Sequence, residues 1–227
     1  MLKNLLAREK TPAYSQETLD ILRLIRSQNV GPKTFANLIK LFGSAGGALA
    51  NIEEFSVKGG RAKPIKPYSL EAAEKEIERL EKDKSFLLTY KDIKYSDLLM
   101  QIHDFPPVIS YKGNIELLNA EKVIAMVGAR NSSINSRSFA KKIAKELVAE
   151  GFITVSGLAR GIDTAVHEAS DSQTIAVVAG GIDYIYPPEN KKLYEKISAT
   201  FLIIAVKVAK FGSKTLRIFF KGIAAKN

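Results

Sequence analysis

Two segments of the sequence each combine glycines with an arginine, a pattern suited to binding phosphate. The first, VGARNSSINS, covers 127–136. Gly128 lets the backbone come close to a bound group, and Arg130 supplies a fixed positive charge. Ser133 is suited either to cap the following helix or to donate a hydrogen bond to a phosphate oxygen. We therefore predict one anion-binding position in this segment.

The second segment, VSGLARGIDTAVH, covers 155–167 and has a similar composition. Gly157 and Gly161 again permit close backbone approach, and Arg160 again supplies charge. Because the segment leads into a helix, we expect the amides of Ile162 and Asp163 to point outward at the positive end of that helix. This predicts a second anion-binding position, and two such positions suit a run of phosphates.

Three well-known nucleotide and nucleophile motifs do not fit these segments. A dinucleotide fold needs G-x-G-x-x-G after its first strand and an acid ending its second, but Ala129 follows Gly128 and Ser156 ends the second strand. The G-x-x-x-x-G-K-[ST] loop of nucleotide hydrolases does not occur in the sequence. A nucleophile elbow requires glycine where Thr154 stands. We interpret Ser156 as either a structural or a phosphate-facing hydroxyl.

Asp163 and His167 are four residues apart, a spacing that would place them on one helix face and could suit metal or acid–base chemistry. A zinc site would need further ligands, yet the chain has two histidines and no cysteine. An acid in the first turn of a helix is stabilised by the helix dipole, with the histidine hydrogen bonded nearby. We predict structural or capping roles for both residues, no metal and no catalytic group.

Short apolar runs alternate with amphipathic segments from residue 85 onward. The predicted strands are SFLLTY (85–90), PVISY (107–111), KVIAMVG (122–128), FITVSG (152–157), TIAVVAG (174–180) and TFLIIAV (200–206). Helices between the last four indicate an α/β fold, a Rossmann-like and mostly parallel sheet with helices on both faces. Loops that follow neighbouring parallel strands meet at one sheet edge, so we expect Arg130 and Arg160 to overlook one groove.

A third loop, AVVAGGIDYIYPPENKKL at 176–193, is expected at the same edge. Gly180 and Gly181 allow close approach of the backbone, and Tyr184 and Tyr186 are suited to stack on a nucleobase. Aromatic residues near a sheet edge are also commonly part of the core. Both interpretations of the tyrosines stay open at this point.

The first 84 residues predict a small helical domain of the helix-hairpin-helix or SAM-like kind. Apolar residues recur at helical spacing on either side of NVGPKT (29–34), with Pro32 placed to begin the second helix. GSAGGALAN (43–51) interrupts the pattern, and SLEAAEKEIERLEK (69–82) indicates a polar helix opened by its serine. The predicted units are a helical domain at 1–84, a Rossmann-like domain at 85–200 and a divergent basic tail at 201–227.

The formal net charge of +10 favours a polyanionic partner. Six basic residues and no acid lie from Phe201 onward, which leaves +4 for the first 200 positions. The tail is therefore either a solvated basic arm or part of the contact with that partner. The chain has no cysteine, no secretion signal and no apolar run long enough to span a bilayer, so we expect a cytoplasmic protein.

Taken together, MVGARNSS (126–133), VSGLARGIDTAVHEA (155–169) and TIAVVAGGIDYIYPPENKKLYEKI (174–197) resemble the DNA processing protein A family, also called DprA or Smf. The resemblance implies a bacterial protein that binds single-stranded DNA, forms a homodimer and loads the recombinase RecA during natural transformation, without catalysis or a cofactor. It implies that Arg130 and Arg160 contact the DNA backbone. It also implies that Gly128, Ser133, Gly157 and Gly161, the other matching motif positions, shape the binding pocket.

Two departures from the family pattern bear on these expectations. After Ile197 the sequence no longer follows the family, which predicts a truncated or frame-disrupted member with an incomplete sheet and altered dimer and RecA contacts. In the hairpin, Asn29 stands where helix-hairpin-helix modules have the first of two glycines, and Gly31 is the second. Because asparagine tolerates left-handed geometry, we expect the turn to form, either to bind duplex DNA or to pack against protein.

Two other functions are compatible with parts of the sequence. A Rossmann-fold phosphoribohydrolase of the lysine decarboxylase-like (LOG) type carries P-G-G-x-G-T-x-x-E, and AGGIDYIYPPEN (179–190) lacks the threonine and the acid at that spacing. The other is a decayed gene product without activity. Turnover of AMP would favour the enzyme, and an aggregated or unfolded chain would favour the decayed product.

Overall fold

The structure, a computed structural model, describes residues 14–170 and 173–206. It begins with four helices, α1 Gln16–Arg26, α2 Pro32–Phe42, α3 Ala45–Lys58 and α4 Leu70–Lys82. At the amino end of three of them, a serine hydroxyl accepts a hydrogen bond from a backbone amide. Ser15 caps α1, Ser44 caps α3 and Ser69 caps α4. Pro32 begins α2, where its fixed φ suits the first helical turn. The predicted helical fold is confirmed for residues 16–82.

The turn between α1 and α2 forms as expected. Asn29 adopts a left-handed conformation with φ 64°, which asparagine tolerates better than most residues. The hydroxyl of Ser27, at the end of α1, accepts a hydrogen bond from the Tyr68 amide at 2.9 Å. The turn is therefore anchored to the segment that precedes α4.

Helix α3 corrects the sequence interpretation, which treated 43–51 as a break in the helical pattern. Gly46 and Gly47 each lower helix propensity there by about 1 kcal/mol relative to alanine. Gly47 is needed for packing, since a Cβ there would lie 2.7 Å from the Phe42 carbonyl oxygen, whereas one on Gly46 would lie 3.0 Å from a carboxylate oxygen of the Asp20 side chain. The serine cap and the burial of one helix face outweigh the weak propensity.

Six strands form one mixed sheet: β1 Phe86–Thr89, β2 Val108–Gly113, β3 Val123–Ala125, β4 Ile153–Ser156, β5 Thr174–Ala179 and β6 Leu202–Val206. Their order across the sheet is β1-β2-β6-β5-β4-β3. β3, β4, β5 and β6 are parallel, whereas β2 runs antiparallel to both β6 and β1. The mostly parallel sheet is confirmed. The sheet extends past residue 200, the expected end of the Rossmann-like domain, because β6 lies between β2 and β5. The rest of the expected tail, from 207, lies outside the described residues.

Helices lie on both faces of the sheet, as predicted, but in different numbers. The helices that connect the parallel strands, α6 Ile134–Ala149, α7 Ile162–Ala169 and α8 Lys191–Thr200, share one face. The helical unit joins the same core through α1 to α4. On the opposite face, α5 Asp97–Met100 and a 3₁₀ turn at Ile115–Asn119 share a core with β5 and β6.

A buried hydrogen-bond network joins α7 to the strands beneath it. Thr154 Oγ1 donates to Ser170 Oγ at 2.7 Å and lies 3.0 Å from Thr174 Oγ1. Thr174 Oγ1 in turn lies 2.7 Å from His167 Nδ1. Burial lowers the pKa of His167 to about 4, so its ring is neutral at pH 7. His167 therefore serves the packing of α7 on the sheet.

Candidate nucleic-acid interface

The two glycine- and arginine-containing segments lie side by side at one edge of the sheet. The first loop (126–133) connects β3 to α6, and the second loop (157–161) connects β4 to α7. β3 and β4 pair in parallel, with Ala125 beside Val155 close to their carboxyl ends. Parallel strands deliver such loops to the same sheet edge, which is where ligands bind in open α/β sheets.

Glycines allow these two loops to pack directly against each other. Gly161 has φ 81°, and a Cβ there would lie 2.3 Å from the Ala129 carbonyl oxygen and 2.5 Å from that of Arg130. A Cβ on Gly128 would lie 2.6 Å from Ile162 Cγ1. The expectation that the Ile162 amide points outward is wrong, because this amide donates to the Ala129 carbonyl at 3.2 Å. The start of α7 is engaged with the first loop.

Asp163 links the two loops through its carboxylate. One oxygen accepts from the Gly128 amide at 3.3 Å, and the other accepts from the Gly157 amide at 3.2 Å. The residue is 7% exposed. Burial raises the pKa of Asp163, although the amide donors, led by Gly128, act in the opposite direction. The carboxylate thus holds the loops together and occupies two amides that would otherwise be available to a phosphate.

Two of the predicted serines have structural partners. Ser156 is fully buried, and its hydroxyl donates to the Met126 carbonyl at 2.7 Å. The phosphate-facing interpretation of Ser156 is therefore wrong, and the structural one holds. Ser133 is exposed and caps α6, where its hydroxyl accepts from the Ser136 amide at 3.1 Å. Its side chain sets the position at which the first loop becomes helical.

Arg130 and Arg160 are both exposed, but their electrostatic surroundings differ. Within residues 14–170 and 173–206, the Arg130 guanidinium makes no hydrogen bond and no ion pair. Arg160 Nε instead forms an ion pair with Glu189 Oε1. Glu189 raises the pKa of Arg160, and Tyr186 adds a smaller contribution in the same direction. Only one of the two arginines thus has a carboxylate partner in this part of the chain.

The third loop (180–190) is held against the second by Asn190. The amide nitrogen of its side chain donates to the Leu158 carbonyl and to Thr164 Oγ1, both at 2.9 Å. Leu158 has a left-handed backbone with φ 54°, a conformation that costs a non-glycine residue about 1–2 kcal/mol. These contacts bring Glu189, the neighbour of Asn190, to Arg160.

The expectation that both arginines overlook one groove is wrong, because they line two separate cavities. The Arg130 cavity has a volume of about 260 Å³ and is lined by residues of all three loops, among them Arg130, Gly157, Tyr184 and Tyr186. The Arg160 cavity, of about 390 Å³, lies between α6, α7 and the start of α8. Gly161, which precedes α7, lines the Arg160 cavity and also packs against the first loop at the Ala129 and Arg130 carbonyls.

Sequence reasoning missed several charged residues of the Arg160 cavity. Arg137 and Lys141 line it from α6, and Glu168 and Glu189 line it from the other side. Lys141 Nζ lies 2.7 Å from a Glu168 carboxylate oxygen. The spacing of Arg137 and Lys141, four residues apart in a helix, was an available signal for a basic helix face. No sequence signal indicated that Glu189 would meet Arg160.

The described ranges were also searched for two other kinds of feature. No three histidine, cysteine, aspartate or glutamate side chains among residues 14–170 and 173–206 are grouped so that they could hold a metal ion. No helix in those same ranges combines the length and the apolar character needed to cross a membrane.

Models of two protein families match the sequence in the same order as its structural units. The model for DNA recombination-mediator protein A matches residues 86–220, which is more than half of the chain. The model for the DprA-like N-terminal HHH domain matches residues 15–78. The helical-domain match ends within α4, and the other match begins at the first residue of β1.

Similar proteins cover this chain only in part. DNA processing protein DprA of Streptococcus pneumoniae is 41% identical over 110 residues, which are 47% of this chain and 38% of that protein. DprA of Bacillus subtilis is 36% identical over 115 residues, 49% of this chain and 39% of that protein. Protein Smf of Borreliella burgdorferi is 30% identical over 169 residues, 72% of this chain and 50% of that protein. The chain thus spans half or less of the length of these relatives.

Two solved structures resemble the fold. The X-ray structure of DNA processing protein A from Streptococcus pneumoniae superposes with a TM-score of 0.61 at 26% identity, covering 86% of this chain and 65% of that one. A structure of DNA processing protein A from Helicobacter pylori, reported for its single-stranded DNA binding mode, gives a TM-score of 0.52 at 25% identity. That match covers 63% of this chain and 66% of the other.

Proposed function

Because the chain belongs to the DNA recombination-mediator protein A family, we propose that its sheet-edge loops bind the phosphate backbone of single-stranded DNA. The observation that carries the proposal is the Arg130 guanidinium, which is exposed and has no carboxylate partner in the described ranges. An arginine presents a planar fork of donors that matches phosphate oxygens. Arg160, held across the packed loops, supplies the second cation.

The proposed role is that of a recombination mediator in natural transformation, which keeps incoming single strands bound and delivers them to RecA. Partner contacts of this kind, including a homodimer and the RecA surface, are part of the proposal, since the chain spans 38–39% of two DprA relatives. DNA and RecA are cytosolic in bacteria, so the proposal places the protein there.

The proposal assigns no catalytic step to the protein. The two residues best suited to acid–base chemistry, Asp163 and His167, are both buried and hydrogen bonded to the fold. The Asp163 carboxylate is engaged by two backbone amides, and the neutral His167 ring contacts Thr174. Asp163 lines the Arg130 cavity, but both of its carboxylate oxygens already accept backbone amides, and His167 is buried beneath the second loop. These positions support binding rather than turnover.

Fluorescence anisotropy with labelled oligo-dT, measured over a salt series, tests the proposal. The logarithm of the affinity should fall linearly with the logarithm of salt concentration, with a slope of about −0.7 for each phosphate neutralised. The double variant Arg130→Glu, Arg160→Glu should bind about tenfold or more weakly and with a flatter slope. Lys33→Glu is the matched control, because it reverses an exposed charge on α2, away from the loops.

Two outcomes would contradict the proposal. Binding that does not depend on salt would mean that phosphates are not the contact. A double variant that binds as well as Lys33→Glu would mean that the two arginines are not the site. An assay for AMP cleavage belongs in the same series, since turnover would favour the phosphoribohydrolase alternative.

A further inference from the structure

We propose that a groove between α2 and α3, on the helical unit, is a docking site for an acidic amphipathic helix of another protein. The groove has a volume of about 530 Å³ and is lined by five residues of α2 and one of α3. These are Thr34, Asn37, Leu38, Lys40, Leu41 and Phe55. None of them lines the Arg130 or the Arg160 cavity, so the inference goes beyond the proposed function.

Apolar side chains form the walls of the groove and remain in contact with water. Leu41 is 57% exposed and Phe55 is 45% exposed, although α2 and α3 each bury another face in the core. Leu38, which also lines the groove, is only 4% exposed and forms its floor. Removing such apolar surface from water is favourable. The groove is therefore suited to a partner that brings apolar side chains of its own.

The packing of the two helices shapes the groove before any partner binds. The Phe55 ring meets the Phe42 ring edge to face, with centroids 5.5 Å apart and an angle of 88°. Gly47 lets α3 approach the end of α2, since a Cβ there would lie 2.7 Å from the Phe42 carbonyl oxygen. A surface already held in shape loses little freedom when a partner binds, which favours affinity.

The groove has the shape that a partner helix requires. Thr34, Asn37, Leu38 and Leu41 stand at positions i, i+3, i+4 and i+7, so they share one face of α2. From Thr34 to Leu41 this face rises by about 10 Å, or two helical turns. An amphipathic helix presents apolar anchors at the same spacing to a groove of this kind. Two anchors one turn apart would fit its length.

The rim of the groove is basic. Helix α2 carries Lys33 and Lys40 and no acidic residue. Both lysines are exposed, and neither makes a hydrogen bond or an ion pair with another residue of 14–170 or 173–206. On α3, Glu53 and Glu54 are one or two residues from Phe55, a spacing that directs them to other faces. Charge complementarity therefore selects a partner with carboxylates beside its apolar anchors.

The same charge argues against this chain as the occupant of its own groove. Residues 1–13 contain three basic residues and one acid, and residues 207–227 contain six basic residues and no acid. A second copy that used the same face would bring two basic rims together about a two-fold axis. Like charges that meet across an interface are unfavourable. The complementary helix must therefore come from a different protein.

A nucleic acid fits the groove less well than an acidic helix does. Phosphates would pair with the lysines of the rim, but Leu41 and Phe55 carry no donor for a phosphate oxygen. A phosphate backbone would leave these apolar walls in contact with water. An amphipathic helix covers the walls with its anchors and pairs with the lysines through its acids.

The test measures the fluorescence anisotropy of a labelled synthetic peptide on titration with the full chain. The peptide is about 14 residues long, or four helical turns, with two leucines one turn apart, glutamates on both sides of them and alanine elsewhere. One comparison peptide has lysine for each glutamate, and another has alanine for each leucine. The wild-type protein should bind the acidic leucine peptide about tenfold or more tightly than either comparison peptide.

Two variants of the groove test the apolar and the basic contacts separately. Leu41→Asp should weaken binding of the acidic peptide about tenfold or more, because it places a carboxylate on the apolar wall. Its exposed position leaves the fold intact. Lys40→Glu should weaken binding about threefold to tenfold, the scale of reversing one exposed charge. Lys40→Glu should also bind the lysine peptide more tightly than the wild type does, a gain that a damaged fold would not produce.

Each variant has a matched control. Val57→Ala removes apolar surface from a side chain of α3 that is 51% exposed but does not line the groove. Lys82→Glu changes the net charge as Lys40→Glu does, at an exposed position on α4. Both controls should bind the acidic peptide with wild-type affinity.

Several results would overturn the inference. They are no binding of the acidic peptide, equal binding of the acidic and the lysine peptides, or losses in the controls that match those in the groove variants. Displacement of the peptide by oligo-dT would assign the groove to nucleic acid instead. If Lys40→Glu loses the peptide yet binds oligo-dT as the wild type does, the groove and the sheet-edge loops are separate sites, and either proposal can fail without the other.

Discussion

The α1–α2 hairpin and the pair of loops at the sheet edge both combine a left-handed turn with arginines, yet they use those arginines differently. In the hairpin, Arg23 Nε donates to the Tyr68 carbonyl at 3.0 Å. Arg26 binds the Glu76 carboxylate through Nε at 3.2 Å and Nη2 at 3.0 Å. At the sheet edge, Arg130 is exposed and makes no such contact within the described residues.

The comparison teaches that the position of carboxylates and carbonyls decides which cations can meet a polyanion. The side chains of Arg26 and Glu76 are 9% and 6% exposed, so their charges neutralise each other inside the helical unit. These arginines brace α1 against α4, which favours the packing interpretation of the hairpin over duplex binding. The formal net charge counts buried, ion-paired arginines and exposed arginines equally. It therefore cannot distinguish a structural ion pair from a binding surface.

The largest expected effect comes from breaking the brace. Glu76→Gln should destabilise the protein by about 3–5 kcal/mol, because it removes the carboxylate that pairs with the buried Arg26 guanidinium. Affinity for oligo-dT, measured at a temperature where the variant is folded, should stay at the wild-type value. Urea unfolding and fluorescence anisotropy on the same preparation give both quantities.

Glu54→Gln is the control for Glu76→Gln, because it removes the carboxylate of an exposed ion pair with Lys58 on α3. Its stability should hardly change, since exposed pairs contribute little. A folded Glu76→Gln protein that binds DNA as poorly as the double arginine variant would show that the hairpin takes part in binding, and the comparison would fail.

The second prediction concerns the close packing that aligns the two loops. Gly161→Ala should cost about 3 kcal/mol, since it combines a left-handed backbone with overpacking against the Ala129 and Arg130 carbonyls. DNA affinity should fall together with stability, because the added methyl group pushes the first loop away. Gly180→Ala is the control: its φ of 115° also lies in the region that alanine rarely adopts, but nothing lies within 4 Å of the added Cβ.

Gly180→Ala should therefore lose less stability than Gly161→Ala. A Gly161→Ala protein that is destabilised yet binds oligo-dT normally would mean that the packing of the loops does not position the arginines. In that case the close packing of the loops would serve the stability of the fold, as the hairpin arginines do, and would not affect DNA binding.

The sequence predicted the strands, the connecting helices and the mostly parallel sheet, because buried parallel strands are continuous apolar runs that periodicity detects. It missed α3, where Gly46 and Gly47 have poor helix propensity and only the packing against α1 and α2 explains them. Local pattern carries no information about such tertiary contacts.

For the candidate site, the sequence located the loops but not their interactions. It placed Arg130 and Arg160 at one edge, because that follows from the order of strands and helices. It did not predict that the loops would cross at Gly161, that Asp163 would occupy two loop amides, or that Glu189 would pair with Arg160. Each depends on long-range geometry between segments that are separate in the sequence.

The third prediction uses the buried histidine beneath the second loop. Burial lowers the pKa of His167 to about 4 from 6.5, so the unfolded chain binds more protons than the folded one between those values. Stability should therefore fall as the pH is lowered through this window, by about 2 kcal/mol at pH 5 from this residue alone. His167→Asn keeps a polar atom facing Thr174. This variant should therefore lack that part of the loss of stability at low pH.

Urea unfolding at pH 7 and pH 5 measures this difference between the wild type and His167→Asn. Because the second loop leads directly into α7, the same acid shift should loosen the sheet edge. Equal loss of stability in both proteins between pH 7 and pH 5 would place the acid sensitivity elsewhere in the chain.

The smallest expected effect distinguishes the two arginines of the interface from each other. Glu189 occupies the Arg160 guanidinium as a phosphate would, so Glu189→Gln should raise the affinity for oligo-dT at low salt by about two- to fivefold, the scale of an exposed ion pair. The salt slope should steepen by up to about 0.7 as Arg160 gains a phosphate. Glu195→Gln, which changes the net charge equally on α8, is the control. A gain that Glu195→Gln matches would reflect net charge alone, and no gain would mean that Arg160 keeps its affinity for DNA despite the ion pair.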